Sequence, residues 1–270
     1  MDCRHIYNAA ADHYDDPVNS FWERCSLRTL ERLAPRPGVR MLDAGCGTGA
    51  FSIPAAAAVG PAGHVVGQDL AGDLLALARR KAHRRGLSNV CFEERDAFGA
   101  THDSRLFDAA VSIFSLFFAA DLIAAVRGLC DRVRPGGTIA VTTWGPGVFE
   151  PAASAFWSSV ESLRANVRPA TCPWDRVSHP GALRAVLASA GLEDVRVVAE
   201  PGQHALESPD DWWRVALGSG FRGAIEALAP GERRRVREDT LARLRRANLR
   251  SIRVDAVYAI GETPVYRIGT

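Results

Sequence analysis

The chain has 270 residues, 47% hydrophobic and 24% charged, with a formal net charge of +2 at neutral pH. That length can bury a sizeable core in one large domain, and the near-neutral charge gives no global argument for nucleic acid or an anionic membrane. Six scattered cysteines (Cys3, Cys25, Cys46, Cys91, Cys130, Cys172) lack metal or redox spacing, which argues against a zinc site or a disulfide framework and for a reducing cytoplasm.

Lys81 is the only lysine, so the basic side is nearly all arginine; with the abundant Ala and Gly, this reads as the coding bias of a GC-rich bacterium. The opening MDCRHIYNAAADHYDD is too polar for a signal peptide, and no apolar run approaches the ~20 residues of a membrane span. A cytoplasmic protein is expected.

In chain order, apolar residues recur at helical spacing from Pro17 to Leu33 (Val18, Phe21, Trp22, Cys25, Leu27, Leu30, Leu33), and PRPG stops that helix. Short β-like runs then alternate with helices. They are VRMLDA and FSIPAAAAV; HVVGQD and the helix Gly72 to Arg85; NVCFEE and a loop; FDAAVSIF and Leu122 to Val133; then TIAVTTW. This rhythm predicts a parallel sheet covered on both faces. It breaks after Trp144: residues 145–179 mix Gly and Pro with aromatics and a short helix near 152–164. A helix at 180–190, the strand DVRVVAE, an Arg-rich helical stretch over 207–249 and a last strand SIRVDAVYAIG complete the chain. We read a single domain: a helical cap (1–34), a core (35–144), a lid insertion (145–179) and a sheet-completing region (180–270) containing the 207–249 helices.

The segment MLDAGCGTGAF (41–51) places Gly45, Gly47 and Gly49 between a strand and a helix, where backbone N–H groups and the helix N-terminus face a ligand. Gly45-x-Gly47-x-x-Ala50 satisfies the relaxed dinucleotide pattern, and Asp69 ends the next strand where a ribose-binding carboxylate belongs. Spacing alone allows NAD or S-adenosylmethionine. Three features tip the balance. Asp43 suits a cationic amine and would repel a pyrophosphate. Asp96, in ERDAF, follows the third strand and can accept from an adenine amino group. The loop also begins only after ~40 residues, whereas a dinucleotide domain often begins with its first strand.

With MLDAGCGTG, VVGQDLAGDLLALARRKA, ERDAF, FDAAVSIFSLFF and RPGGTIAVTTW in place, the sequence resembles the class I S-adenosylmethionine-dependent methyltransferases. The resemblance is to the small-molecule branch that includes the ubiquinone/menaquinone-biosynthesis enzymes. It covers about residues 39–144, with family-like wording again at 180–197. It implies a Rossmann-like α/β fold with a seven-stranded sheet, its last strand antiparallel, and S-adenosylmethionine as cofactor. Carried over by position, Asp43, Gly45, Cys46 and Gly47 would line the methionine moiety, with Ser112, Phe114 and Ser115 at its end. Asp69 would bind the ribose hydroxyls and Leu70 would pack on the adenine. Asp96 and the Ala97 backbone would read the adenine edge. Tyr14 stands where related enzymes close a Tyr over the cofactor, or else staples the cap.

The sulfonium is already activated, so positioning can contribute ~7–11 kcal/mol and a general base is dispensable. If one acts, His13 beside Tyr14 is the candidate, against the alternative of a surface helix residue. His179 reads as a helix-start residue. The aromatics Phe117, Phe118, Trp144, Phe149, Phe156, Trp157 and Trp174 are read as an apolar wall for the acceptor, with Trp212 and Trp213 joining it or anchoring their helix. The basic runs 232–238 and 242–250 read as a solvated helix face.

The expected partner is thus a small-molecule methyl acceptor, with no nucleic acid, membrane or metal, and with monomer and homodimer both open. Two alternatives stand: a methyltransferase fold repurposed for a reaction such as cyclisation, and an RNA-modifying methyltransferase.

Overall fold

The computed structural model describes residues 3–99, 106–164 and 172–265. Helix α1 (Cys3–Tyr14) comes first, and α2 (Phe21–Leu33) follows a short 3-10 turn at Pro17–Asn19. The expected helix from Pro17 is therefore two pieces, because the Asp16 carboxylate accepts from Val18 N at 3.2 Å and caps a separate turn. Next come β1 (Arg40–Ala44), α3 (Ser52–Val59), β2 (His64–Asp69), α4 (Gly72–Arg84), β3 (Val90–Glu94), β4 (Phe107–Ile113), α5 (Leu122–Cys130) and β5 (Val133–Trp144). Val133, expected at the end of a helix, instead begins the strand, pairing with Phe107.

The second half contains α6 (Ala152–Glu161), α7 (Pro180–Ser189), β6 (Glu193–Glu200), β7 (Gln203–Ala205), α8 (Asp211–Leu217), α9 (Arg222–Glu226), α10 (Pro230–Arg246), β8 (Ser251–Arg253) and β9 (Ala256–Glu262). Seven strands form one sheet in the order β3-β2-β1-β4-β5-β9-β6. Pairs within β3-β2-β1-β4-β5 are parallel, and β9 runs antiparallel to both neighbours. This is the Rossmann-like arrangement the sequence implied, with the last strand reversed. The expected strand over 251–261 is broken in two. Its first part, β8, pairs with β7 in a separate ribbon, and the break falls where Asp255 accepts from Gly202 N at 2.7 Å.

β1 is the pivot. It has a neighbour on each side and helices over both faces, so Met41, Leu42 and Ala44 are all fully buried. Met41 faces a cluster with Phe51, Val59 and Val65, whereas Leu42 faces the larger core with Val66 and Ala110. Alternate residues of one strand thus anchor two layers. The glycine turn after β1 therefore projects from the most constrained strand end of the molecule.

Candidate functional site

A cavity of about 420 Å³ lies at the carboxyl ends of β1, β2 and β4, roofed by α1. This is the crevice at a topological switch point, since the chain runs from β1 through β2 to β3 on one side and then returns to β4 on the other side of β1. Gly45 and Gly47 form its floor with φ of 79° and 52°, the left-handed region that penalises a side chain. A Cβ on Gly45 would collide with the Ser115 side chain, and one on Gly47 would come 3.3 Å from Tyr14 Oη. Both positions are bare because other groups close on them.

Asp69, at the tip of β2, accepts from Gly47 N at 2.8 Å and from Ala71 N at 2.9 Å. These bonds aim the carboxylate along the cavity wall. Burial still outweighs them and raises its pKa above the ordinary aspartate value. Leu70, Asp96, Ala97, Phe114 and Ser115 also line the cavity, as expected for them, and so does Tyr14. Asp96 accepts from Phe98 N at 2.9 Å, which fixes the turn after β3. Phe114, at a φ of 53°, lies flat on Trp144 with ring centroids 3.7 Å apart. Ser115 Oγ donates to Ala44 O at 2.6 Å and ties the end of β4 to the end of β1.

Three of the expected cofactor contacts lie behind this wall. Asp43 is 1% exposed and sits under the turn, where its carboxylate accepts from Ser52 Oγ at 2.6 Å. Burial, aided by the charge of Asp69, moves its pKa up to about 7 despite the Ser52 bond, so it braces the turn from beneath. The Cys46 side chain points into a core patch with Ile53, Leu75 and Phe92, where burial pushes the thiol up. Ser112 is fully buried, its Oγ 2.7 Å from that of Ser115, and it orients the latter. Alternation along β1 and β4 turns the Asp43 and Ser112 side chains off the cavity face, while Cys46 lies in the turn beyond β1.

The expected acceptor wall is corrected more heavily. Phe118 lines the cavity, but Phe117, Trp144, Phe149 and Phe156 are core residues, at most 3% exposed. Phe149 and Phe156 pack on Phe221, which also touches Trp157 and Trp212. Trp174 packs edge-on against Phe117. The lid insertion is thus stapled to α8 and α9 by its own aromatics, because two short helical pieces need a joint core to persist. His13 also does not reach the cavity. It stands on the outer side of α1 with its ring nitrogens 4.0 Å from Asp12 and Asp16. His179 occupies the residue before α7 without a side-chain cap bond. On α10, Val236, Leu241 and Leu244 are buried while Arg243 and Arg245 pair with Asp239 and Asp210.

The wall residues not singled out as site residues from sequence include Arg4 and Tyr7 on α1, Trp22 on α2, and Phe98. Arg4 Nε donates to Leu70 O at 3.0 Å and its guanidinium pairs with Glu94, clamping α1 over the strand ends. Tyr7 and Tyr14 are seven residues apart, two helical turns, and that spacing was the available signal. Behind the wall, Arg132 is 2% exposed and donates to Gln68 Oε1 at 2.7 Å and to Ala97 O at 3.3 Å. The Gln68 carbonyl in turn accepts from Gly45 N and Cys46 N. Arg132 therefore links the glycine turn to the Asp96–Ala97 segment.

The cavity suits an adenosyl sulfonium donor. Its bare cradle admits backbone-close contact, carboxylates line its wall, and the glycine end carries rings and hydroxyls in place of a cluster of cations for phosphates. Comparison with known proteins agrees. Residues 41–137, spanning every strand–turn–helix unit around the cavity, match a family model described as a methyltransferase domain. Nocamycin O-methyltransferase of Saccharothrix syringae is 29% identical over 84% of this chain and 85% of its own length. Aklanonic acid methyltransferase of Streptomyces sp. (strain C5) is 34% identical over 51% of this chain, which spans 62% of that relative. Among solved structures, the cyclase SpnF superposes with a TM-score of 0.56 at 21% identity over 90% of this chain and 81% of its own, a likeness of fold. The chain thus carries a methyltransferase domain over residues 41–137, with S-adenosylmethionine as its cofactor, and over most of its length it is similar to an O-methyltransferase.

Proposed function

We propose that the enzyme methylates a mid-sized, partly apolar small molecule, a natural-product or quinone-like intermediate, by in-line displacement driven mainly by positioning and desolvation. The observation that carries this reading is the cavity lining. Around the carboxylates the wall is made of Tyr7, Phe98, Phe118, Ala119, Ala124 and Ala125, an apolar surface with few polar points. Two relatives are named for nocamycin and aklanonic acid, which supports a natural-product acceptor.

S-adenosylmethionine supplies, when bound, a methyl group on a cationic sulfur. Asp69 would hold its ribose, Leu70 and Phe98 would cover its adenine, and Asp96 with the Ala97 backbone would read the adenine edge. Gly45, Gly47 and Ser115 would line the methionine end. Among the described lining residues there is no histidine or lysine, and burial pushes the Tyr7 and Tyr14 hydroxyls well up, so they remain protonated donors that orient an acceptor. α1 excludes water from the reacting end, held there by Arg4 on Leu70 and by the Lys81–Asp15 ion pair at 2.9 Å.

Calorimetric titration with S-adenosylmethionine, followed by assays on carboxylated and hydroxylated aromatic acceptors, tests this reading. Binding lost in Asp69→Ala, with S-adenosylhomocysteine released in step with methylated product, is the expected result. An acceptor transformed without that release would turn the assignment toward a non-transfer reaction such as cyclisation.

A further inference from the structure

The two ends of the cavity differ in kind. Asp69, Asp96 and Asp121 are its carboxylates among the described lining residues, and each already holds a backbone N–H: those of Gly47 and Ala71, of Phe98, and of Ala124. The glycine end is instead ringed by aromatic side chains. Tyr14 stacks on Trp22 with centroids 5.3 Å apart and planes within 2°. Trp22 meets Phe114 edge-on at 5.6 Å, and Phe114 stacks on Trp144. Tyr14, Trp22 and Phe114 all line the cavity. Gly47, whose N–H is bonded to Asp69, lies directly beneath Tyr14. Phe114 precedes the Ser115 that closes on Gly45, so these rings border the glycine turn.

We infer that Trp22, Phe114 and Tyr14 form a cation subsite for the donor sulfonium, so that the protein holds the charged donor more tightly than its uncharged product, S-adenosylhomocysteine. The quadrupole of an aromatic face attracts a cation within about 6 Å and does nothing comparable for a neutral thioether. In a cleft roofed by α1, the effect is larger than on a flat surface. Asp43 is buried beneath the turn and does not line the cavity, whereas the three rings do. The consequence is functional: transfer of the methyl group removes the charge, and the same rings then release the product.

The test is calorimetric titration of wild type, Trp22→Leu, Trp22→Phe and Phe114→Leu with S-adenosylmethionine and, separately, S-adenosylhomocysteine. Trp22→Leu should weaken the charged ligand about tenfold and the neutral one less than about twofold, while Trp22→Phe keeps most of the preference. Phe114→Leu gives an independent reading should Trp22→Leu not fold, and it should show the same selective loss. Equal weakening of both ligands, or no change in either, overturns the cation subsite and leaves the cofactor assignment standing. Failure of the wild type to bind either ligand overturns both.

Discussion

Gly45→Ala tests the closure of the turn most directly. The residue sits at a φ of 79°, and its missing Cβ is the space into which the Ser115 side chain packs. Placing an L side chain in the left-handed region costs about 1–2 kcal/mol. The methyl must also displace Ser115, whose hydroxyl bonds Ala44 O at 2.6 Å and pairs with Ser112 Oγ at 2.7 Å. Those two bonds contribute about 1 kcal/mol each, bringing the total to about 3–4 kcal/mol. For a domain of this size the loss corresponds to a fall in Tm of roughly 10 °C. Differential scanning calorimetry measures it, and titration with S-adenosylmethionine measures the accompanying loss of binding at the turn. In the double variant Gly45→Ala/Ser115→Gly both bonds are lost with the Ser115 side chain itself and the backbone cost remains, so it should be about as destabilised as Gly45→Ala. A Gly45→Ala protein with wild-type Tm and wild-type affinity would refute the reasoning.

Further outcomes follow from neighbouring contacts. Asp69→Asn keeps the shape and removes the charge that accepts from Gly47 and Ala71; affinity for S-adenosylmethionine should fall about tenfold to a hundredfold, and an unchanged Kd would place the ribose elsewhere. Asp43 has a folded pKa of about 7, raised above the unfolded aspartate value, so the stability it contributes is greatest in acid and is lost as pH rises toward 7. Denaturant unfolding of wild type minus Asp43→Asn should therefore slope downward between about pH 4 and 7 and flatten above; a difference independent of pH would show that Asp43 is not held protonated. Arg132→Met should raise KM for S-adenosylmethionine more than it lowers kcat, because it loosens Gln68 and Ala97 without touching the acceptor; a pure kcat defect would contradict that positioning role. Phe156→Ala should cost about 3–5 kcal/mol in unfolding while leaving cofactor affinity unchanged, the opposite of what a lid residue over the site would do.

The strand–helix rhythm and the glycine turn are legible in the residues alone. Alternating strands and helices up to Trp144, glycines at 45 and 47, and acids at 69 and 96 are local signals, each set by backbone sterics and periodicity within a few residues. Asp69, Leu70, Asp96 and Ala97, singled out from these signals, line the cavity. Sequence could not show which face of a strand a residue occupies once both faces are buried: Asp43, Cys46 and Ser112 look like site residues by position and are framework by orientation. Nor could it separate a lid from a core in residues 145–179, since an aromatic reads alike in either, and only the packing of Phe149 and Phe156 on Phe221 decided it. Tertiary structure alone also brought Arg4, Tyr7 and Trp22 into the cavity wall. Contacts between segments distant along the chain leave no local trace, because they arise from how α1 and α2 dock and not from the pattern within either helix.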